Sequence, residues 1–429
     1  MARRVGMALA IILWPLVVQA ESLMTLDLAM REQDIQLQRA NQNVSVSQAR
    51  RNQADSRRGP RVRFDASGSQ TERRQSRFDQ RFLGEDYSIT LSQSVYDRPQ
   101  FLEPERLDRL SDRAIAGKSR ILQERRLSLL QSFAGWVEAL EHQKLLTRRY
   151  ENLEQRREQI VQLFANQRVS ITELLRVENE LERVRVELVT TRATAARTES
   201  LIASLTGSSV KMDWNPQPQS NVWDFNYLHG KSEVDRRHPV LAEAQANLEA
   251  AQIALDQAIG TLLPTIGGEL TARQTNIGAN DLETERTDTY SARIALTWIL
   301  YDSGDREARI KEARFIVRDA ELALMEAERE LLREQQTLDV ELERAEAAWS
   351  AAKAERISAR KLVEAANRSF ELGVGDLGDT LMALDRLIDA EMRVSSTWLS
   401  GFLTVARIAA NSNRLNDQVM SSLSLLVPQ

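Results

Sequence analysis

The chain has 429 residues, with 57 Lys and Arg, 62 Asp and Glu, three His and no Cys. The lack of cysteine excludes disulfides, thiolate metal sites, Cys nucleophiles and a lipid-modified N-terminal cysteine, and the weakly acidic charge argues against nucleic acid as a partner. Nine Pro and seventeen Gly are few for this length, so long uninterrupted helices are permitted and a loop-rich all-β fold is excluded.

The first element along the chain is a predicted secretory signal peptide, residues 1–20. Arg3 and Arg4 precede a charge-free apolar run, and Val18-Gln19-Ala20 forms a small-x-small cleavage site. The run is short for a membrane span, and the alternative is an uncleaved anchor. The signal peptide predicts export, and because no later apolar stretch is long enough, the sequence predicts no transmembrane helix after it.

The rest of the chain contains an internal repeat with an offset of about 205 residues. The segments that align are 58–62 with 262–266, 94–97 with 299–302, and 172–174 with 378–380. Because three matches hold nearly one spacing, we predict two structural copies. Their boundaries, with the segments around them, are 21–209 for the first repeat, 210–233 for a linker or equatorial segment, 234–415 for the second repeat and 416–429 for a C-terminal tail.

Each copy begins with a helix followed by two segments of alternating polarity. The helices, 26–57 and 239–262, stop before Pro60 and Pro264. The alternation has period two, and its length suits strands that cross an outer membrane. The predicted strands lie at about 61–70, 86–96, 265–275 and 288–300, with polar turns at 70–86 and 276–288. Tyr87, Tyr290 and Trp298 fit either an interfacial aromatic girdle or ordinary strand packing.

The third part of each copy is a long helical hairpin. Apolar residues step by three and four from Asp97 to Phe164 and from Asp302 to Phe370, which is coiled-coil patterning. A continuous helix of that length reaches roughly 100 Å. The sequence thus predicts a mainly α fold with some β structure, in which a strand pair and a long coiled-coil hairpin occur twice.

Four strands cannot close a barrel around a lumen, and an open sheet edge is not tolerated in lipid. Several copies must therefore share one barrel if the strands enter a membrane. Three copies give a 12-stranded β-barrel continuous with an α-helical barrel, although two or four copies also give even strand numbers.

This element order resembles the TolC-like outer membrane factor family over essentially the whole mature chain. The local marks are Leu262-Leu263-Pro264 entering a strand, segment 298–304 (Trp-Ile-Leu-Tyr-Asp-Ser-Gly) leaving one, and Phe370-Glu371-Leu372-Gly373 before Asp379. The resemblance implies a homotrimer in the outer-membrane lipid of a Gram-negative bacterium, extending into the periplasm. It also implies docking to a periplasmic adaptor (membrane fusion) protein and an inner-membrane transporter, for efflux or type I secretion.

The same resemblance assigns roles at the hairpin turns. Adaptor-docking tips fall on Gln167, Arg168 and Val169 and on Gly373, Val374 and Gly375. Asp379 falls on an acidic position that lines a pore ring. The other gate candidates that the resemblance suggests are Phe370, Asp376 and Glu173.

Two details of the gate stay open at this stage. The ring role of Asp379 competes with plain helix N-capping, which Asp also favours. The second acid of the family's ring is replaced by Met382, for which Asp376 or Asp385 would have to substitute. Gly375 stands where the family's Arg pairs with the copy-one acid, here Glu173, so we expect that ion pair to be missing.

No Ser/His/Asp arrangement, Gly-rich phosphate loop, cofactor motif or metal-ligand cluster occurs in the sequence, so we predict no enzyme activity, no cofactor and no metal. The resulting function is an outer-membrane exit duct. The alternative is a soluble periplasmic coiled-coil scaffold that carries its strand pairs as small β-domains.

Overall fold

The computed structural model describes residues 23–75, 78–207, 235, 237–279 and 285–426. The predicted signal peptide at 1–20 and the linker at 210–233 lie outside these residues. The described elements of the first half are α1 (Leu23–Gln33), α2 (Ile35–Ser56), β1 (Arg61–Gln75), β2 (Phe78–Tyr96), α3 (Arg98–Ala165) and α4 (Ile171–Thr206). Those of the second half are α5 (Pro239–Gly260), β3 (Thr265–Ala279), β4 (Glu285–Thr297), α6 (Asp305–Glu371), α7 (Leu377–Asn411) and α8 (Asp417–Leu426).

The predicted single helix over 26–57 is wrong, because Asp34 divides it. The backbone of Asp34 is extended, and its side chain accepts a hydrogen bond from Leu37 N at 2.9 Å, which starts α2. At the corresponding place of the second half, His238 caps α5 and Pro239 is its first residue. The first half therefore starts α2 with the side-chain cap of Asp34, whereas the second half starts α5 with Pro239 after the cap His238.

The four strands form one antiparallel sheet in the order β1-β2-β3-β4. Because β2 pairs with β3, strands from both halves of the chain share this sheet. Within the described residues, β1 and β4 each pair on one side only. The sheet is therefore open at both edges in the single chain.

The predicted strand ends need correction. The β1–β2 pairing continues to Gln75 and Phe78, so most of the predicted polar turn at 70–86 is strand, and β3 likewise extends to Ala279. Polar residues there maintain the ladder, which depends on backbone groups rather than side chains. In contrast, β4 ends at Thr297 instead of residue 300. Its last partner, Thr265, follows Pro264, which has no N–H to donate.

The long helices form the rest of the molecule. α3 has 68 residues and α6 has 67, so each spans about 100 Å. α3 packs against α2, α4 and α5, and α6 packs against α5 and α7. The predicted seam of α6 is buried at Leu338, Leu342, Ala345 and Ala352. No described helix is both long enough and apolar enough to cross a membrane.

The buried side chains form two large clusters along these helices. One lies at mid-length and joins α1, α3, α4, α6, α7 and α8 around Phe133 and Phe402, both almost fully buried. The second lies nearer the hairpin turns and packs α3 against α4, with Leu381 of α7 added. The two hairpins are thus joined by apolar packing at mid-length and by fewer contacts near their turns.

Within the predicted C-terminal tail, residues 417–426 form helix α8. Met420 and Leu423 are fully buried in the mid-length cluster.

Candidate functional site

The sheet has one apolar and one polar face. Cross-strand partners point to the same side of a sheet, so the register defines each face. Two rows of the apolar face are Val62, Leu91, Leu270, Ala292 and Phe64, Ile89, Ala272, Tyr290. Many of these side chains are exposed in the single chain, and Tyr290 and Ile294 are more than 80% exposed. Such an apolar surface needs a covering phase or partner.

The opposite face of the sheet carries hydroxyl and charged groups. Two of its rows are Arg63, Thr90, Thr271, Ser291 and Asp65, Ser88, Arg273, Thr289. Arg63 Nε lies 2.8 Å from Asp65 Oδ2, and Arg273 makes two hydrogen bonds to Asp86 at 2.6 and 2.7 Å. Arg61 and Arg63, at the start of the first strand, therefore belong to the polar face.

The first hairpin turn is closed by a residue in the left-handed conformation. Gln167 has φ +56°, and Arg168 N donates to Leu163 O at 2.9 Å across the turn. This six-to-one hydrogen bond is that of the Schellman motif, in which glycine usually supplies the left-handed residue. Here glutamine supplies it.

The second hairpin turn has the same geometry with glycine in place. Gly373 has φ +72°, and Val374 N donates to Ser369 O at 3.0 Å. A Cβ on Gly375 would lie 2.8 Å from Ser369 Cβ, so this glycine is required for space. The six residues predicted as docking tips therefore form two equivalent turns at the ends of the hairpins. Val374 is 80% exposed.

Asp379 is an exposed residue in the first turn of α7. The N-cap of α7 is Asp376, so the N-capping alternative for Asp379 is wrong. A carboxylate in the first turn is still favoured by the helix dipole. Glu173 holds the corresponding place in the first turn of α4.

An arginine that the sequence reasoning missed brings two gate candidates together. Arg176 Nη1 of α4 lies 3.4 Å from Glu173 Oε1 and 3.8 Å from Asp376 Oδ2. A Cβ on Gly378 would lie 2.8 Å from the same nitrogen, so the absent side chain admits the guanidinium. Gly375 has no charged side chain that could pair with Glu173, and Arg176 links the two hairpins. The spacing of three residues between Glu173 and Arg176 on one helix was the readable signal.

Phe370 lies between the hairpins rather than alone on α6. It packs against the second apolar cluster, and the guanidinium carbon of Arg156, from α3, lies 4.9 Å from its ring centroid. A cation over an aromatic face is attracted by the ring quadrupole. Phe370 therefore contributes a contact between α6 and α3.

Asp385, the other candidate for a second ring acid, is occupied in an ion network. Arg149 of α3 is almost fully buried and pairs with both Asp385 and Glu180, while Arg183 Nη2 lies 3.2 Å from Asp385 Oδ2. Burial raises the pKa of Asp385. The network ties α7 to α3 and α4.

Within the described residues, no group of three or more His, Asp or Glu side chains is arranged to hold a metal ion. The features described above are exposed surfaces and contacts between helices. The candidate site consists of the two hairpin turns and the sheet with its apolar and polar faces.

Comparisons with known proteins agree with this architecture. Residues 232–397 match the family model described as "Outer membrane efflux protein". No curated protein matches the sequence. Several solved structures match the fold at low sequence identity.

Three of these structures illustrate the extent of the likeness. The Campylobacter jejuni CmeC outer membrane channel matches with a TM-score of 0.80 and 13% identity, over 94% of this chain and 89% of that chain. VceC from Vibrio cholerae gives 0.78 and 14%, over 92% and 97%, and the outer-membrane channel OprN gives 0.77 and 19%, over 92% and 90%. Together, the family match and the fold confirm the resemblance of this chain to the TolC-like outer membrane factors.

Proposed function

We propose that this chain is the outer-membrane exit duct of a tripartite efflux or type I secretion system. It passes substrates from an inner-membrane pump and a periplasmic adaptor across the periplasm and outer membrane, without chemistry of its own. The observation that carries this proposal is the sheet with one apolar face, one polar face and two open edges. In a barrel, the apolar face meets lipid and the polar face lines the lumen.

The open edges support assembly from several copies. Unpaired backbone groups in lipid cost several kcal/mol each, so β4 of one copy would pair with β1 of the next. Three copies close a barrel of 12 strands, and their long helices continue it as a tube of about 100 Å. From Tyr290 to Leu296 the apolar side chains of β4 extend for about 20 Å along the strand.

Fractionation of cells tests the location. We expect the protein in the outer-membrane fraction, with gel mobility that changes on heating because a closed barrel resists detergent. Release by osmotic shock, with mobility unaffected by heating, would instead favour the periplasmic scaffold.

At the tips, we propose that Asp379 forms a ring that controls cation passage. Three exposed carboxylates near a threefold axis would repel each other and attract cations. The links from Arg176 to Asp376 and from Arg156 to Phe370 hold the second hairpin against the first, which keeps this ring narrow.

Planar-bilayer conductance of Asp379→Ala tests the ring. We expect divalent cations to block the unmodified channel and to block the variant much less. Asp319→Ala is the matched control, since Asp319 is an exposed carboxylate on α6 about 80 Å from the tip. Equal block of all three proteins would contradict the ring.

The tips also form the proposed docking surface for the adaptor. Leu372 and Val374 are 76% and 80% exposed, an unusual exposure for two neighbouring aliphatic side chains. We expect Val374→Asp to weaken adaptor binding, measured with purified proteins, while Val186→Asp, an exposed control on α4, leaves it unchanged. If both variants bind the adaptor with equal affinity, the tip is not part of the docking surface.

A further inference from the structure

The first and last described helices of the chain meet at mid-length of the long helices. Met420 and Leu423 of α8 are fully buried in one cluster with Leu26 and Met30 of α1, which are also buried. Residues almost 400 positions apart thus complete the same core.

An ion cluster that is buried at Asp27 and Arg126 and exposed at Asp417 joins these two helices to α3. Arg126 of α3 is almost fully buried, and its Nε lies 3.1 Å from Oδ1 of Asp27 in α1. Its Nη2 pairs with Asp417 at the start of α8, and its Nη1 donates to Leu415 O at 2.5 Å. The three nitrogens of this guanidinium are therefore used by α1, by α8 and by Leu415, which lies two residues before α8.

A second arginine repeats the link from the side of α1. Arg31 pairs with Asp27 at 2.6 Å, and its Nη1 donates to Asp417 Oδ2 at 3.2 Å. The charged groups of the cluster are two arginines and two aspartates, and they alternate. Asp417 is the group from α8 that faces both arginines, so removing it leaves two cations against Asp27 alone.

Helix α1 packs mainly on α4 and α8, with fewer contacts to α2 and α3. Asp34 interrupts the chain between α1 and α2, and the end of α1 rests on the C-cap of α4, where a Cβ on Gly207 would lie 3.0 Å from Gln33 Cβ. A short helix of this kind is not stable alone in water. Its order must come from the elements that pack on it.

We propose that α8 is a clasp, and that its docking through Asp417 holds α1 in place, so that the two ends of the chain order together. The clasp acts at mid-length, about 60 Å from the tips along α3, and is independent of whether the chain forms a duct. A chain that lacks its last residues would then leave α1 undocked while its hairpin turns form normally.

Hydrogen exchange on the purified full-length protein tests the clasp. Asp417→Asn keeps the size of the side chain and removes its charge. We expect the amides of α1 to exchange about tenfold faster in this variant, because hydrogen bonds between charged groups are lost. Exchange at the hairpin turn around 162–168 should stay unchanged, and Gln418→Ala, an exposed neighbour in α8, should leave α1 protected.

A chain that ends at Asn416 provides the second variant, with trypsin cleavage after Arg31 as its readout. We expect cleavage there to become rapid. Unchanged protection of α1 in either variant would overturn the clasp. Loss of protection along the whole chain would also overturn it, because the proposal predicts a local effect.

Discussion

The two hairpin turns differ in one residue that decides their local stability. Gln167 and Gly373 both adopt positive φ and close the same hydrogen-bonded turn. A residue with a Cβ pays roughly 1–2 kcal/mol for this conformation, and glycine does not. Part of this gain is offset because glycine loses more entropy on ordering. We therefore expect Gln167→Gly to stabilise the first turn by about 1 kcal/mol.

The second turn provides the reverse experiment. A Cβ on Gly373 meets no atom within 4 Å, so Gly373→Ala introduces backbone strain without a clash. We expect it to destabilise the turn by about 1–2 kcal/mol.

Hydrogen exchange at single amides measures both effects, because a tip opens locally without unfolding the chain. Arg168 N–H should exchange about fivefold slower in Gln167→Gly, and Val374 N–H at least about fivefold faster in Gly373→Ala. Gln162→Gly, inside α3, is the control and should speed exchange, since glycine weakens a helix interior. Faster exchange of the Arg168 N–H in Gln167→Gly would mean that the backbone of Gln167 is not strained, contrary to this prediction.

Three further predictions concern other parts of the molecule. Burial raises the pKa of Asp27 to about 6 from 3.8, so its contribution to stability is present at low pH and lost as pH rises through 6. In urea unfolding, this group should make the protein about 1 kcal/mol more stable at pH 5 than at pH 7.5. Asp27→Asn should abolish this difference. If the variant and the unmodified protein show the same pH dependence, Asp27 is not its source. Phe402→Ala should cost about 3–5 kcal/mol in the same assay, since the ring is fully buried and stacks on Trp398, and a loss below about 1 kcal/mol would mean that the site is loosely packed. Ile294→Arg should reduce the protein recovered in the outer membrane, because an arginine that faces lipid costs about 2–4 kcal/mol. Ser291→Arg, on the polar face, should leave recovery unchanged. Equal recovery of the two variants would contradict the assignment of the apolar face to lipid.

Much of the architecture is readable from sequence because long-range patterns carry it. The long helices follow from apolar spacing sustained over more than sixty residues, and the strands follow from strict alternation such as that of Val62 and Phe64 with Arg63. The sequence also indicates which side chains share a face of the sheet. Side chains alternate between the two faces of a strand, so the residues between the apolar ones must lie on the opposite face.

What sequence did not reveal depends on contacts between distant residues. Arg176 reaches Asp376 only because Gly378 lacks a side chain and because the hairpins lie side by side. The burial of α8 likewise depends on α1, at the other end of the chain. The split at Asp34 was missed because an N-capping acid inside a helical pattern is also compatible with a continuous helix surface.

The start of α7 shows a further limit. Sequence placed a helix start at Asp379, and the N-cap lies three residues earlier at Asp376. A shift of this size is ordinary for helix ends, yet it changes which carboxylate stands at the N-cap position.

If copies of this chain form a conducting duct through lipid, planar-bilayer recording with the purified protein will detect it. We expect discrete conductance steps for the unmodified chain and fewer insertion events for Ile294→Arg. Absence of steps from protein that is folded by circular dichroism, at concentrations where known outer-membrane channels insert, would contradict it.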